Sequence, residues 1–305
     1  MSPIEIPAGL ADDTRLDHGK GDGPLAICRL PVVDLHVDEA GAPGVGVGTQ
    51  LMRGERARVL GRGEGRHAGW LRVACEHDRY IGWGRRIAFD LPEGDGDAAG
   101  AERATRMPPE PTHTVAVPRT FLYPAPDLAQ RPAVATLALG ARVSVRRSIT
   151  VRNTPYAMLD DGRAVVSRHL AAIDTTARDP VAVAELLLHT PYLWGGRTAL
   201  GIDCSGLVQL CHGLCGRRTM RDSDQQAETL GEALQVSFDQ QTGAPKRRLE
   251  RGDLVFWKGH VAMARDADTL IHASGHAMAV AIEPIADAVR RIAPLYGRPT
   301  QIRRA

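Results

Sequence analysis

Cys204 is the residue in this sequence that is best placed for covalent chemistry. Gly195 and Gly196 predict a tight loop before it, and Asp203 can cap a helix that we predict to run to about Cys215. At the first turn of a helix, unpaired N–H groups and the positive end of the helix dipole stabilise a thiolate, which attacks carbonyl carbons. The same N–H groups can hold the oxyanion that this attack creates. The pattern therefore predicts a cysteine nucleophile.

Such a nucleophile needs an imidazole partner, and two later histidines have suitable positions. His260 opens an apolar run directly after Gly259, and His272 lies twelve residues later on the next predicted strand. If the two strands pair as a hairpin, the rings become neighbours. The second ring can then hold the first in the tautomer that accepts a proton, as the third member of a catalytic triad does.

Core packing and metal binding are the alternatives for the cysteines of this helix. Cys211 and Cys215 lie seven and eleven residues after Cys204, within an apolar pattern on one helix face, so we interpret them as core residues. With His212 they form a Cys-His-x-x-Cys pattern that zinc sites also use, but no second ligand pair follows at a suitable spacing. We therefore predict no metal and no cofactor.

Composition and charge exclude several classes of protein. The 305 residues carry a formal net charge of +2, with acids and bases intermixed, which argues against a nucleic-acid partner. No apolar run approaches the about 18 residues that span a bilayer, so no membrane partner is predicted. Residues 1–20 lack the apolar core of a secretory signal, and the five cysteines suggest no disulfide framework. These features predict a cytoplasmic protein and leave its oligomeric state open.

Changes in composition divide the chain into five segments. Short apolar alternations broken by glycine predict a small β-barrel, and a second β-rich stretch repeats the pattern weakly. The last segment begins with helices and continues with strands, which predicts an α+β domain. The segments are an N-terminal arm (1–26), a first SH3-like barrel (27–92), a linker (93–112), a second SH3-like barrel (113–173) and the α+β domain (174–305).

Capping residues and apolar runs predict the elements of the α+β domain. Asp179-Pro180 is typical of a helix start, because the aspartate can cap and proline suits the first helical position. The predicted helices are 181–188, 203–215 and 284–291, and the predicted strands of an antiparallel sheet are 253–257, 260–264, 269–273 and 278–282.

Motifs in this domain resemble, in order and spacing, those of the NlpC/p60 family of papain-like cysteine peptidases. They are Tyr192-Leu193-Trp194-Gly195-Gly196, Asp203-Cys204-Ser205-Gly206, Arg251-Gly252-Asp253-Leu254-Val255-Phe256, Gly259-His260-Val261-Ala262-Met263 and Ile271-His272-Ala273. The resemblance covers roughly residues 175–295. It implies helices packed on an antiparallel sheet, with Cys204 as nucleophile, His260 as general base, His272 as orienting residue and Tyr192 near the oxyanion site.

The whole chain resembles a branch of this family in which two bacterial SH3-like domains precede the peptidase. The resemblance implies hydrolysis of the γ-D-glutamyl–diamino acid bond in peptidoglycan stem peptides with a free N-terminal L-alanine, during cell-wall recycling. The partner is then a small peptide, whose diamino acid the sequence does not specify. The residues that match the branch's substrate pocket are Glu55, Tyr80, Asp203, Ser205, Asp222 and Ser223.

The internal repeat favours a functional role for Glu55 and Tyr80. The second repeat has Ala141 in the place of Glu55 and Arg163 near the place of Tyr80, whereas a purely structural role should be shared by both copies. A free α-amine is a cation that needs paired carboxylates once it is buried, and Glu55 and Asp222 are the predicted pair. The branch often has proline after the tyrosine, where this chain has Ile81.

Two other functions are compatible with these residues. An amidase or acyltransferase would use the same cysteine and histidines on another amide. A binding module would hold peptides through its barrels and carry an inactive peptidase domain, but the intact Cys/His set argues against this alternative.

Overall fold

The computed structural model describes residues 5–19, 22–92, 107–129 and 131–305. They form two compact units, one comprising Asp13–Thr175 and the other comprising Glu5–Asp12 together with Thr176–Ala305. Most of the predicted linker (93–112) lies outside the described residues. Among the helices of the described residues, none combines the length and the apolar character needed to cross a bilayer.

Seven strands near the start of the first unit form one antiparallel sheet. They are β1 (Leu25–Cys28), β2 (Val32–Glu39), β3 (Ala42–Met52), β4 (Arg56–Arg62), β5 (Trp70–Cys75), β6 (Ile81–Arg85) and β7 (Phe89–Asp90). Their order in the sheet is β3-β2-β6-β5-β4-β1-β7. Alternate side chains such as Leu71 and Val73 lie in a hydrophobic cluster with Leu35 and Phe89. The first predicted β-rich stretch is therefore built from strands, as expected.

The rest of the first unit consists of shorter strands in three small sheets. The strands are β8 (His113–Val115), β9 (Arg119–Leu122), β10 (Ala135–Ala138), β11 (Arg142–Val143), β12 (Val145–Val151), β13 (Thr154–Leu159), β14 (Ala164–Val166) and β15 (Leu170–Ala172). The sheets have the orders β10-β9, β11-β8-β15 and β12-β13-β14. The second predicted β-rich stretch thus also consists of strands, and the SH3-like character of both stretches stays a prediction.

Four helices belong to the second unit: α1 (Pro180–Glu185), α2 (Cys204–Leu214), α3 (Ser223–Thr229) and α4 (Ile285–Tyr296). At the start of α1, the side chain of Asp179 accepts a hydrogen bond from the Val181 amide at 2.9 Å, and proline occupies the first helical position. These are the signals that the sequence prediction used. Helix α2 packs against α1 and against two strands of the central sheet.

The strands of the second unit are β16 (Arg197–Thr198), β17 (Gly201–Ile202), β18 (Glu232–Leu234), β19 (Leu254–Trp257), β20 (His260–Ala264), β21 (Thr269–Ser274), β22 (Ala279–Pro284) and β23 (Gln301–Arg304). Six of them form an antiparallel sheet in the order β18-β23-β19-β20-β21-β22. Side chains of α4, among them Val289 and Ile292, share a hydrophobic core with Val255 and Leu270 of the sheet. The predicted α+β class is confirmed for this unit.

Five elements of this unit were missing from the sequence prediction: α3, β16, β17, β18 and β23. Strand β23 pairs with β18 and with β19. Within β23 only Ile302 is apolar, so no alternating pattern marks it as a strand. Its position is decided by pairing with residues far away in the chain, which local patterns do not report.

Candidate active site

Cys204 occupies the first position of α2, and Asp203 caps this helix. The Asp203 carboxylate accepts hydrogen bonds from the amide of Gly206 at 2.7 Å and from the amide of Gly195 at 2.9 Å. It therefore ties the glycine loop to the first turn of the helix. Gly206 is required at this point because a Cβ atom would overlap the carbonyl oxygen of Gly196. The predicted tight loop and helix start are confirmed.

A buried ion pair fixes this helix start, and the sequence prediction missed its cation. Arg221 is 1% exposed and donates to both carboxylate oxygens of Asp203, at 3.0 and 2.6 Å. It also donates to the hydroxyl of Ser205 at 2.9 Å. The predicted substrate residues Asp203 and Ser205 are thus part of an internal network beside Cys204. The adjacent pair Asp222-Ser223 matches the family branch, but no local pattern in the sequence indicates that Arg221 is buried.

The sulfur of Cys204 lies against the first residues of β20. The backbone amides of Val261 and Ser205 lie close to it and oppose the effect of burial on its pKa. Burial nevertheless raises the pKa of the Cys204 thiol to about 12, and the negative charge of Asp203 acts in the same direction. The resting side chain is therefore a neutral thiol, not the thiolate that the helix position alone predicts. The predicted role as nucleophile therefore requires the proton to leave as the sulfur attacks.

His260 is the residue next to Val261 on β20, and its ring is paired with that of His272. Nε2 of His260 and Nδ1 of His272 form a hydrogen bond of 2.8 Å. The ring of Trp257, on the neighbouring strand, lies 5.6 Å from that of His260 between centroids. Burial lowers the pKa of His260 to about 3, and the neighbouring His272 ring and the positive charge of Arg291 act in the same direction. A neutral imidazole is a base that can accept a proton, which the predicted role requires.

His272 lies on β21 and is 1% exposed. The two strands that carry the histidines are adjacent and antiparallel, as the sequence prediction assumed. The predicted pairing of the two rings is therefore present in the structure.

Tyr192 lies close to the nucleophile. Its segment runs beside β17, which leads into α2, and its amide donates to the carbonyl of Met278 at 2.9 Å. Burial raises the pKa of the Tyr192 hydroxyl, and the neighbouring Cys204 and the negative charge of Asp203 act in the same direction. The hydroxyl thus keeps its proton near neutral pH and can donate a hydrogen bond near the sulfur.

Asp222 and Ser223 lie at the start of α3. Asp222 caps this helix in a capping box with Gln225, and Ser223 is the first residue of the helix. Helix α3 is attached to the nucleophile helix, because Nε2 of Gln226 donates to the carbonyl of Ser205 at 2.9 Å. The structure therefore holds this predicted pair on an element joined to α2.

Glu55 and Tyr80 belong to the first unit and are buried there. Oε2 of Glu55 accepts a hydrogen bond from the Met52 amide at 2.7 Å, and the amide of Tyr80 donates to Asp78. These contacts give both residues a role within their own sheet. Their predicted contribution to substrate binding stays a prediction.

One group of side chains with possible metal-ligand atoms occurs among the described residues. The ligand atoms of Cys75, His77 and Asp78 lie within 4.8 Å of one another, but Asp78 already accepts the Tyr80 amide, and Cys75 packs in a hydrophobic cluster. The Cys-His-x-x-Cys residues of α2 form no such group within the part of the chain that the structure describes. The interpretation of these cysteines as core residues fits the full burial of Cys211, whereas Cys215 is only partly buried.

His212 is a buried residue of α2 that no expected function uses. It is 0% exposed, and within the described residues neither ring nitrogen has a hydrogen-bond partner. Burial lowers the pKa of His212 to about 4, and the positive charge of Arg217 contributes. The folded chain therefore holds a neutral imidazole in this core.

Replacing His212 with leucine should reduce the acid sensitivity of folding. The pKa of His212 is about 4 in the folded state, whereas in the unfolded chain it has its ordinary value of 6.5. Between these two values the unfolded chain therefore binds more protons than the folded chain. Stability therefore falls as the pH drops, and this group alone contributes a loss of about 2 kcal/mol between pH 7 and pH 5. Denaturant titrations of both proteins at the two pH values measure the difference, and equal losses would contradict the expectation.

Comparisons with known proteins concern mainly the second unit. Residues 189–291 match the model of the NlpC/P60 family. The chain is 35% identical over 97 residues to Dipeptidyl-peptidase 6 of Lysinibacillus sphaericus, covering 31% of each protein. It is 31% identical over 117 residues to Gamma-D-glutamyl-L-lysine dipeptidyl-peptidase of Bacillus cereus (strain ATCC 10987 / NRS 248), covering 36% of this chain and 32% of the relative. The chain thus aligns with about a third of the length of these relatives.

A similarity in three dimensions extends over more of the chain. The crystal structure of an NlpC/P60 family protein from Bacillus cereus ATCC 10987 aligns with 92% of this chain and 99% of its own, with a TM-score of 0.65 and 20% sequence identity. At this identity the similarity shows a shared fold.

Proposed function

We propose that this chain, whose residues 189–291 form an NlpC/P60 family domain, is a cysteine peptidase that acts on peptides of the bacterial cell wall. One observation carries the proposal: Cys204 begins a buried helix that packs against β20, the strand whose first residue is His260. Nucleophilic attack on an amide uses a sulfur nucleophile, an imidazole base beside it and a third group that orients the base. Cys204, His260 and His272 are proposed to fill these three roles.

The first chemical step joins sulfur to the substrate carbonyl. Cys204 begins as a thiol and His260 as a neutral imidazole. Since Nε2 of His260 is engaged by His272, Nδ1 is the nitrogen left to take the thiol proton. As that proton moves, the sulfur forms a bond to the carbonyl carbon, and the carbonyl oxygen becomes an oxyanion. The amides of the first turn of α2 and the hydroxyl of Tyr192 are the donors proposed to stabilise it.

The second step releases the amine and then the acid. The His260 imidazolium donates its proton to the leaving nitrogen, the C–N bond breaks, and a thioester remains on Cys204. Water then attacks the thioester with His260 again as base, which restores the thiol and the neutral imidazole. His272 keeps the ring in one orientation throughout.

The substrate is proposed to be a stem peptide cleaved between γ-D-glutamate and a diamino acid. One of the relatives is named for a γ-D-glutamyl-L-lysine bond, and it is 31% identical over the matched residues. The free N-terminal L-alanine implied by the sequence resemblance makes trimmed fragments the natural substrates. We therefore propose a role in cell-wall recycling, in the cytoplasm.

Selection for a free amine is the most specific part of this proposal. A buried ammonium group requires a carboxylate, because an unpaired buried charge is disfavoured by several kcal/mol. Asp222 lies at the start of α3, which is joined to the nucleophile helix through Gln226. Glu55 is the second proposed carboxylate.

Acetylation of the substrate amine should lower kcat/KM for cleavage of L-Ala-γ-D-Glu-diaminopimelate by about 100-fold or more. The acetyl group removes the charge and leaves a carboxylate without its partner, a loss of about 3 kcal/mol or more. Chromatography of L-Ala-γ-D-Glu released from both peptides measures the ratio. Absence of product from the free peptide would refute the peptidase proposal for this substrate. Equal turnover of both peptides would favour an amidase or acyltransferase with a different selectivity.

A further inference from the structure

Glu283 lies directly behind the histidine pair, and no role has been assigned to it so far. On the antiparallel strands β21 and β22, His272 is opposite Ala281, and Leu270 is opposite Glu283. Side chains two residues apart share a face of a sheet, so His272 and Glu283 are diagonal neighbours on one face. Nε2 of His272 lies 2.7 Å from Oε1 of Glu283, in a contact that is short but bent away from the line of the N–H bond.

This contact decides which nitrogen of His272 carries a proton. A carboxylate only accepts hydrogen bonds, so a nitrogen at 2.7 Å from it must bear hydrogen; two lone pairs at this distance would repel. A neutral His272 with hydrogen on Nε2 has a lone pair on Nδ1. Nδ1 is the atom that lies 2.8 Å from Nε2 of His260, so it accepts the hydrogen bond there.

The same reasoning fixes the state of His260. Its Nε2 donates to His272 and must therefore bear hydrogen. The His260 ring is neutral in its buried position, so its other nitrogen, Nδ1, carries a lone pair. That nitrogen is then ready to accept the proton of the Cys204 thiol. In the opposite arrangement, with hydrogen on Nδ1 of His272, both rings would reverse and His260 would present a donor to the sulfur.

We propose that Glu283 is a positioning residue of this site, which selects the tautomer of His272 and, through it, the tautomer in which His260 accepts a proton. This inference rests on the proposed function of Cys204 and His260 and extends it by one residue. Glu283 touches neither the sulfur nor the substrate in this account. It acts through its contact with Nε2 of His272 and the hydrogen bond between the two rings.

The carboxylate of Glu283 is itself held in place by α4. Arg291 donates to both of its oxygens, to Oε1 through Nη2 and to Oε2 through Nε at 3.3 Å. Burial alone would raise the pKa of Glu283, but its contacts with His272 and Arg291 lower the pKa to about 2. Glu283 is thus a carboxylate at any pH at which the protein would work. The arginine fork also limits rotation of the side chain, which keeps one oxygen at the ring.

The test combines a direct view of the tautomers with kinetics on the full chain. Long-range ¹H–¹⁵N spectra of histidine-labelled protein at pH 7 distinguish Nδ1–H from Nε2–H rings, with His260→Gln and His272→Gln used for assignment. We expect both rings to carry hydrogen on Nε2. In Glu283→Met, the preference of His272 should be lost. Its kcat should then fall about 10- to 100-fold with little change in KM, as when a carboxylate behind a metal-bound histidine is removed.

Two further variants separate the tautomer from general effects. Glu283→Gln keeps an oxygen that can accept the Nε2–H, so it should retain the tautomer and most of kcat. Glu185→Gln is the control for loss of an ion pair. Glu185 pairs with Arg251 and Arg265 at an exposure similar to that of the Glu283–Arg291 pair and forms no ion pair with either histidine, so kcat should stay unchanged. Thermal melts show whether each variant is folded.

Several results would overturn the inference. Hydrogen on Nδ1 of His272 in the wild-type protein, or on both of its nitrogens, would do so even if Glu283→Met failed to fold. An unchanged kcat in a folded Glu283→Met protein would do so as well. A wild-type chain that cleaves no stem peptide would instead refute the proposed substrate, and the spectra would still report the tautomers.

Discussion

Replacing Cys204 with alanine should abolish hydrolysis of the stem peptide. In the proposed mechanism Cys204 supplies the atom that forms the covalent intermediate, so no other group in the site can substitute for it. We expect kcat to fall by about 10⁴-fold or more, to the level that binding and oxyanion donors sustain alone. A coupled amine assay or chromatography of the products measures the rate. Cys204 is buried, but replacing it with alanine removes only one sulfur atom, so the variant should stay folded.

Cys211→Ala is the matched control for this experiment. Cys211 lies on the same helix, is also fully buried, and belongs to the core rather than the site. Its replacement should lower stability slightly and leave kcat/KM within a few-fold of the wild-type value. Measurable turnover by Cys204→Ala, or an equal loss in both variants, would contradict a covalent role for Cys204.

Replacing Arg221 with methionine should lower the free energy of unfolding by about 3–5 kcal/mol. The change leaves the Asp203 carboxylate, which is 7% exposed, without the guanidinium that donates to both of its oxygens. The activity should fall as well, because Asp203 caps the helix whose first residue is Cys204. The negative charge of Asp203 raises the pKa of the Cys204 thiol, and the positive charge of Arg221 lowers it. Loss of Arg221 should therefore raise this pKa further and make alkylation of the thiol slower at a given pH.

Two other variants show whether the charge pair causes this loss. Arg251→Met removes ion pairs with Asp179 and Glu185 in which Arg251 is 40% exposed, and it should change the unfolding free energy by about 1 kcal/mol or less. The double variant Asp203→Asn/Arg221→Met should recover part of the loss, since no charge is then buried alone. Urea titrations measure all three proteins. An Arg221→Met protein as stable as Arg251→Met would mean that the buried pair has no special importance.

Local signals in the sequence were enough to predict the elements that carry the chemistry. Asp203 and the glycines before it predicted the start of α2, because capping and tight turns depend on a few adjacent residues. The apolar runs after Gly252 predicted strands whose bounds agree with β19, β20 and β21 to within one residue. The hairpin assumption then sufficed to predict that His260 and His272 are neighbours.

The residues that support the site were not accessible in this way. Arg221 and Glu283 are charged residues, and nothing in the neighbouring sequence distinguishes a buried charge from a solvated one. Arg221 is buried and Glu283 is partly buried. Their partners are distant in the chain: Asp203 is 18 residues from Arg221, and His272 is 11 residues from Glu283. The protonation of Cys204 was also missed, because the helix start favours a thiolate while complete burial favours the thiol. Only the folded surroundings show which effect is larger.

The sequence by itself determined the identity and order of the proposed reacting groups, since the proposed nucleophile, base and orienting residue each lie at the start of an element, or within one, that local patterns specify. The tertiary structure decided their chemical state: a neutral thiol, a neutral imidazole and an ion pair beneath the helix start. The reason is physical. Element formation depends on propensities and caps within a few residues, whereas pKa values and tautomers depend on burial and on charges brought close by folding.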